Sequence, residues 1–98
     1  FQQISNTIPF EFSLSQNYPN PFNPSTKIRF EISGSSVAQT FLSVYDMLGR
    51  EISTLVNEEL KPGMYEAEWK ASSYPTGVYF YRLNAGSFTE TKKMVLVK

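Results

Sequence analysis

Two groups of acidic residues are the candidates for acid–base or metal chemistry in this sequence. Glu66 and Glu68 have the same parity in an alternating stretch, so a strand would place both on one face, roughly 7 Å apart. That separation is close to the carboxylate spacing of some glycoside hydrolases. Asn57, Glu58 and Glu59 could contact calcium, but their spacing matches no dedicated calcium-binding loop. A solvated surface explains both groups more simply, and we expect no cofactor and no metal.

The composition removes most other catalytic chemistry. His and Cys are absent, so the usual general base, the common zinc ligands and the Ser-His and Cys-His nucleophile pairs are all missing. The five glycines stand singly, which leaves no Gly-rich phosphate loop. Nine Lys and Arg residues balance nine Asp and Glu residues, which disfavours a nucleic-acid partner. We therefore expect a domain that is not an enzyme and binds no nucleic acid.

Aromatic residues offer a better binding hypothesis. Five of them could form a stacking platform for sugar rings: Trp69, Tyr74, Tyr79, Phe80 and Tyr81. In an alternating strand, however, Tyr79 and Tyr81 share one face and Phe80 lies on the other. Core packing is thus the simpler explanation for most of these rings, and Phe80 is the ring that we expect to be partly exposed.

The carboxyl end, residues 92–98, is a second candidate for recognition. Its sequence, KKMVLVK, predicts a final strand flanked by basic residues. Lysines suit the edge of a sheet, where they hinder pairing with other chains. The functional alternative is that a partner recognises this strand, since an exposed strand can join a partner's sheet through backbone hydrogen bonds.

Alternation of apolar residues and stretches rich in aromatic and β-branched residues predict strands along the whole chain. The seven predicted strands are 10–14, 28–32, 37–45, 52–56, 65–69, 78–83 and 88–97. No window keeps a helical period for three turns, and no stretch is long and apolar enough to cross a membrane. About seven short strands separated by turns predict an all-β fold, an immunoglobulin-like antiparallel β-sandwich.

Turn residues separate these strands. Asp46 to Gly49 predicts a tight turn that Asp46 opens and in which Gly49 takes a positive φ. Pro62 followed by Gly63 predicts a type II turn, which would close a β-hairpin into the strand that contains Tyr65.

A proline-rich segment, residues 18–24, lies between the first two predicted strands, and we call it the belt. Its sequence is YPNPFNP, in which three prolines lack N–H donors and two asparagines favour turns before proline. The belt should therefore be extended but not a ladder strand, and it could cover a sheet edge without offering donors for pairing.

Five segments together resemble a known family. They are 14–30 (LSQNYPNPFNPSTKIRF), 44–50 (VYDMLGR), 63–65 (GMY), 77–83 (GVYFYRL) and 92–98 (KKMVLVK). In this order and spacing they resemble the type A C-terminal sorting domains of the type IX, or Por, secretion system. That system is the outer-membrane export route of Bacteroidota and related bacteria.

The resemblance implies roles for particular residues. Recognition by the translocon would reside in the last hairpin and terminal strand, at Gly77, Tyr79, Tyr81, Lys92, Lys93, Met94, Val95, Leu96, Val97 and Lys98. The upstream motifs would hold the sandwich together, through Asn17, Pro19, Pro21, Phe22, Asn23, Pro24, Tyr45, Asp46, Gly49, Gly63, Tyr65 and Trp69.

The resemblance also implies how the parent protein is organised. Residues 1–12 would be a linker from a preceding cargo domain together with the start of the first strand, and residues 13–98 would be the sorting domain. The chain begins with Phe1 instead of Met, as expected of a segment of a longer polypeptide. A separate signal peptide would bring the cargo to the periplasm, and the type IX translocon would carry it across the outer membrane. A surface peptidase with sortase-like activity would then cut before Leu14 and join the cargo to lipopolysaccharide, leaving it secreted or at the cell surface.

Two other functions stay open on the residues alone. An immunoglobulin-like accessory module would bind carbohydrate or pack on a neighbouring catalytic domain, and its sign would be an exposed aromatic row on one sheet face. A spacer or assembly unit is the other, because the immunoglobulin-like domain of the flagellar hook-capping protein shares the turn motif of residues 44–50. The belt and the terminal strand argue against a spacer.

Overall fold

The computed structural model describes all 98 residues, Phe1–Lys98, as an all-β fold. Its eight strands are β1 (Gln2–Ser5), β2 (Ser13–Leu14), β3 (Ser25–Ile32), β4 (Ala38–Tyr45), β5 (Glu51–Leu60), β6 (Gly63–Lys70), β7 (Gly77–Ala85) and β8 (Phe88–Leu96). They form two antiparallel four-stranded sheets, with the orders β1-β6-β3-β2 and β5-β4-β7-β8. The predicted β-sandwich is confirmed, with eight strands where the sequence predicted about seven. The structure contains no helix with the length and apolarity that a membrane span requires.

The first sheet is built around the pairing of β3 with β6. These strands are in register over eight residues, from Ser25 opposite Lys70 to Ile32 opposite Gly63. Alternation buries Ile28 on the inner face of this sheet and turns the residues on either side of it towards solvent.

The second sheet ends in the β7–β8 hairpin. The two strands pair residue for residue from Gly77 opposite Leu96 to Ala85 opposite Phe88. A two-residue turn joins them, in which Gly86 has a φ of 58°. This hairpin places β8 at the edge of the sheet, where only one side of its backbone is bonded to β7.

The inner faces of the two sheets share one core of 19 buried apolar residues. Phe30, Leu42 and Tyr81 are completely inaccessible to solvent. Burying a large apolar side chain contributes about 1.5–3 kcal/mol, so this core is the main source of stability in a chain without disulfides. Every buried side-chain nitrogen and oxygen has a hydrogen-bond partner.

The predicted first strand over residues 10–14 is mostly wrong. Only Ser13 and Leu14 pair, as β2, while Phe10 is fully exposed and Phe12 stacks on Phe88 at a centroid distance of 5.7 Å. Parity marks which side chains would share a face, but a strand also needs a partner strand to bond. The antiparallel register of β2 would place residues 10–12 opposite residues 32–34, and β3 ends at Ile32.

An edge strand forms instead from β1, inside the stretch 1–12 where the sequence predicted a linker. It pairs with β6 on the side away from β3. Gly63 makes this approach possible, because a Cβ atom there would lie 2.6 Å from Gln3 Nε2 and 2.9 Å from the Ser5 carbonyl oxygen.

The hairpin predicted at Pro62 and Gly63 is also wrong. β5 belongs to the second sheet and β6 to the first, so the chain crosses between sheets at this corner. Gly63 has a φ of 158° and starts β6, whereas a type II turn requires about +80°. A corner between two sheets and a β-hairpin share the same sequence pattern, a proline and glycine followed by an alternating strand. The pairing of β6 with β3 shows that this segment is a corner.

The turn that joins β4 to β5 has the predicted form. The Gly49 N–H donates to the Asp46 carbonyl oxygen at 3.0 Å, and Gly49 has a φ of 82°. The Asp46 carboxylate accepts from Leu48 N–H at 2.9 Å, from Arg50 N–H at 3.0 Å and from Arg50 Nε at 2.7 Å. These bonds hold the pKa of Asp46 below its usual value, chiefly through the bond from the Arg50 backbone.

Candidate recognition surface

The acidic residues that suggested chemistry lie on solvated faces. Glu66 accepts from Arg29 Nε at 2.9 Å and lies 3.8 Å from Lys27 Nζ, while Glu68 is exposed. Glu58 and Glu59 are exposed on edge strand β5. No group of three or more His, Cys, Asp or Glu side chains is arranged to hold a metal ion. Glu66 thus acts as the centre of a surface ion-pair network.

Most rings of the proposed stacking platform belong to the core. Trp69, Tyr79 and Tyr81 are buried, and Trp69 packs edge-on against Tyr79 at a centroid distance of 5.3 Å. Tyr74 is half-buried and donates its hydroxyl to the Ile52 carbonyl oxygen at 2.9 Å. Phe80 is partly exposed, as predicted. These five rings therefore form no common platform.

The residues assigned to translocon recognition all lie on β7, β8 and the two residues that follow. Gly77, Tyr79 and Tyr81 pair with Leu96, Met94 and Lys92. The assigned residues of β7 and those of β8 are therefore cross-strand neighbours. Met94 and Leu96 are fully buried and anchor β8 to the core. Exposed backbone or side-chain surface is contributed mainly by Lys93, Val97 and Lys98.

The structural-motif residues spread over the rest of the sandwich. The buried ones are Asn17, Phe22, Gly63, Tyr65 and Trp69. Those partly or fully exposed are Pro19, Pro21, Asn23, Pro24, Tyr45, Asp46 and Gly49. Among the belt members of this set, Phe22 bonds directly to β8, whereas the Pro24 carbonyl oxygen accepts from Ala71 N–H.

The belt bonds the outer edge of β8, which the sequence did not predict. Phe22 forms an isolated parallel bridge with Leu96: its N–H donates to the Val95 carbonyl oxygen at 3.0 Å, and its carbonyl oxygen accepts from Val97 N–H at 2.9 Å. The Asn20 side-chain oxygen accepts from Val95 N–H at 3.0 Å. The expectation that the belt offers no donors for pairing is therefore wrong, because the Phe22 N–H between two prolines is such a donor.

A fourth bond extends this contact to the residues just before the belt. Gln16 Nε2 donates to the Lys93 carbonyl oxygen at 2.8 Å. From the Lys93 carbonyl to the Val97 N–H, several backbone groups of β8 face away from β7. Each of them thus has a hydrogen-bond partner. The terminal strand has no open edge over this stretch, contrary to the expectation of an exposed strand.

Phe22 anchors the belt in the core. Its side chain is 2 % exposed, and its ring packs against Trp69 at a centroid distance of 5.8 Å. Removing such a ring from water contributes about 1.5–3 kcal/mol. The belt therefore binds β8 through the Phe22 backbone and the Asn20 side chain, and it enters the core through the Phe22 ring.

A buried polar network holds the start of the belt. Tyr81 Oη accepts from Asn17 N–H at 2.8 Å and donates to the Ser15 carbonyl oxygen at 2.8 Å. The Asn17 side chain donates to Thr26 Oγ1 at 3.0 Å, and Thr26 donates to the Pro19 carbonyl oxygen at 2.9 Å. Burial raises the pKa of Tyr81 to about 12, so its hydroxyl keeps its proton at neutral pH.

Sequence reasoning missed Gln16 and Asn20, which bond β8, and Thr26, which belongs to the buried polar network. The available signal was Phe22 itself, because a large apolar side chain in a segment that forms no ladder strand needs a core to enter. The position of that core could not be read from local pattern, since Phe22 and Leu96 are far apart in the chain.

In the contact between the belt and β8, positive charge is concentrated on the β8 side. Neither Lys93 nor Lys98 has an ion-pair partner, and the Lys98 ammonium contacts the Ser72 carbonyl oxygen. Lys92 lies 3.2 Å from Glu90. Residues 14–24 contain no charged side chain, so nothing in the belt offsets the two free lysines.

Comparison with known proteins assigns a family to this architecture. The family model described as "Secretion system C-terminal sorting domain" matches residues 16–98, which include the belt and the six strands from β3 to β8. No curated protein matches the sequence.

Proposed function

The chain belongs to the family of type IX secretion C-terminal sorting domains, and we propose that it acts as a non-catalytic address tag for a cargo protein. The cargo would be the preceding part of the same polypeptide, with residues 1–12 as the connection and residues 13–98 as the sorting domain. The translocon of the type IX system would bind the tag and carry the cargo across the outer membrane.

The β7–β8 hairpin is the observation that best supports this proposal. Cross-strand pairing brings together the two separate segments assigned to recognition, from Gly77 opposite Leu96 onwards. Buried Met94 and Leu96 fix the strand, which leaves Lys93 and Lys98 on the surface without carboxylate partners. A strand that is held in place by buried side chains and carries unpaired surface lysines is suited to binding a protein partner.

Cleavage before Leu14 and attachment of the cargo to the cell surface form the second part of the proposal. Residues 6–12 contain no strand, and Ile8 and Phe10 are exposed. Exposed segments without ladder bonds are the preferred sites of proteolysis. A surface peptidase with sortase-like activity could therefore cut this segment without unfolding the sandwich.

A carbohydrate-binding module is the second candidate. Tyr45 and Phe80 are paired neighbours on the outer face of the second sheet, and both are partly exposed. The Arg82 guanidinium lies 4.8 Å from the centre of the Tyr45 ring and covers part of it. Glycan pull-down with the intact chain would test this candidate directly.

Export of a fused reporter tests the proposed function. A periplasm-directed reporter followed by residues 1–98 would be expressed in a type IX-competent host and in the same host with the translocon inactivated. We expect reporter outside the cell in the competent host alone, and in the inactivated host a folded reporter held in the periplasm. Equal distribution in both hosts would contradict the address-tag function.

A further inference from the structure

The terminal strand is not available as a single open strand. Its outward backbone groups from Lys93 to Val97 are bonded by Gln16, Asn20 and Phe22. A partner that added its own strand along this edge would first have to remove the belt.

The anchoring of the belt opposes its removal. Release would expose Phe22, which is 2 % exposed, and would leave the buried Asn17 N–H and the Tyr81 hydroxyl without their partners. Unpaired buried groups are costly, so the Asn17 bond just before the belt and the buried Phe22 within it both oppose release of the belt.

The belt and the strand instead present one continuous set of exposed side chains. Asn23 and Val97 directly follow Phe22 and Leu96, the two residues of the isolated parallel bridge. Both side chains are exposed, as is Pro21. Lys93 and Lys98 add positive charge to this surface, and no belt residue carries a negative one.

We propose that the recognition surface is the assembled belt and terminal strand together, bound as a rigid unit by an acidic protein surface. Its carboxylates would face Lys93 and Lys98, and an apolar part would cover Pro21 and Val97. This inference rests on the proposed function. It adds that the partner binds the belt as well as the terminal strand, and that the belt stays closed, which means bonded to β8, during recognition.

A disulfide between belt and strand tests whether the belt stays closed. Neighbouring parallel strands lie about 4.8 Å apart, which is within the Cα separation that a disulfide spans. The double variant Asn23→Cys with Val97→Cys would place one bond there in a chain that has no other cysteine. The oxidising periplasm would form the bond before the outer-membrane step, and non-reducing electrophoresis of the periplasmic fraction would verify it.

We expect the disulfide-bonded fusion to be exported as well as fusions carrying either single cysteine. Retention of the bonded form in the periplasm, with export of both single variants, would overturn the proposal and show that the belt must open.

A pair of identical substitutions tests whether belt side chains contact the partner, and it does not depend on the disulfide. Asn23→Glu adds a negative charge to the belt, and Asn57→Glu adds the same charge to exposed strand β5 at the other edge of the second sheet. Repulsion from an acidic partner should reduce export of the Asn23→Glu fusion roughly tenfold or more. Export of the Asn57→Glu fusion should stay unchanged, with equal thermal midpoints for both.

Equal export of the Asn23→Glu and Asn57→Glu fusions would remove the belt from the recognition surface while leaving the address-tag function intact. If the unmodified chain itself were not exported, the proposed function would fail first, which separates the two outcomes.

Discussion

The Phe22 carbonyl oxygen accepts a hydrogen bond from the Val97 N–H at 2.9 Å, and this bond joins the proline-rich belt to the end of the chain. The side chain of the same residue enters the core against Trp69. Phe22 thus couples the position of the terminal strand to the packing of the sandwich.

Phe22→Ala should lower the free energy of unfolding by about 3–5 kcal/mol, because it removes a buried ring and leaves a cavity. Urea denaturation would measure this loss, and hydrogen exchange should show reduced protection of the Val97 amide. Phe10→Ala is the matched control, since Phe10 is fully exposed and should change stability by no more than about 0.5 kcal/mol. A loss below about 1 kcal/mol for Phe22→Ala would mean that the belt is not anchored in the core.

Tyr81→Phe should cost about 1–3 kcal/mol at neutral pH, because it leaves the buried Asn17 N–H without an acceptor. Tyr18→Phe removes a hydroxyl from a side chain that is 81 % exposed and should have no measurable effect. Equal stability of the two variants in urea denaturation would exclude the Tyr81 network as a support of the belt.

Alkaline pH should reveal the burial of the Tyr81 hydroxyl, which is the main cause of its raised pKa. The folded-state pKa of Tyr81 is raised to about 12 from the ordinary value of 10.0, so its stabilising contribution is complete below pH 10. That contribution is lost as the pH rises from 10 towards 12. Burial also raises the pKa values of Tyr65 and Tyr79, so Tyr81→Phe should make the fall in stability above pH 10 shallower without abolishing it. An unchanged pH profile in urea denaturation would contradict this assignment.

Gly49→Ala should lower the free energy of unfolding by about 1–2 kcal/mol, because Gly49 has a φ of 82° that an L-residue adopts only with strain. Gly77→Ala is the comparison, since Gly77 has no positive φ and a Cβ there meets no atom within 4 Å. That change should be neutral or slightly stabilising. Thermal denaturation would compare the two, and equal midpoints would show that the turn from Asp46 to Gly49 tolerates alanine.

Local pattern was enough to predict the strands that pair with their neighbours in the chain. Parity correctly assigned Tyr79 and Tyr81 to the core and Phe80 to the outer face, because alternation is a property of the strand itself. The Asp46 turn was equally predictable, since its bonds all lie within five residues.

Features that depend on distant partners could not be predicted in this way. The corner at Gly63 carries the residues of a hairpin, and only the pairing of β6 with β3 shows that the chain changes sheets. The contact of Phe22 with β8 likewise joins residues that no window of the sequence contains together. The sequence therefore predicted the terminal strand as a candidate site but not the belt that completes it.

The most direct test of the central claim is export of the reporter fusion after charge reversal at the terminal strand. Lys93→Glu with Lys98→Glu removes the free positive charges beside the belt, and Glu58→Lys with Glu59→Lys is a change of equal size on β5 at the opposite edge. With both variants folded, we predict that the first fusion stays in the periplasm and that the second is exported like the unmodified chain. Equal export of the two charge-reversed fusions would contradict the account, because it would show that the translocon does not recognise the lysines of the terminal strand.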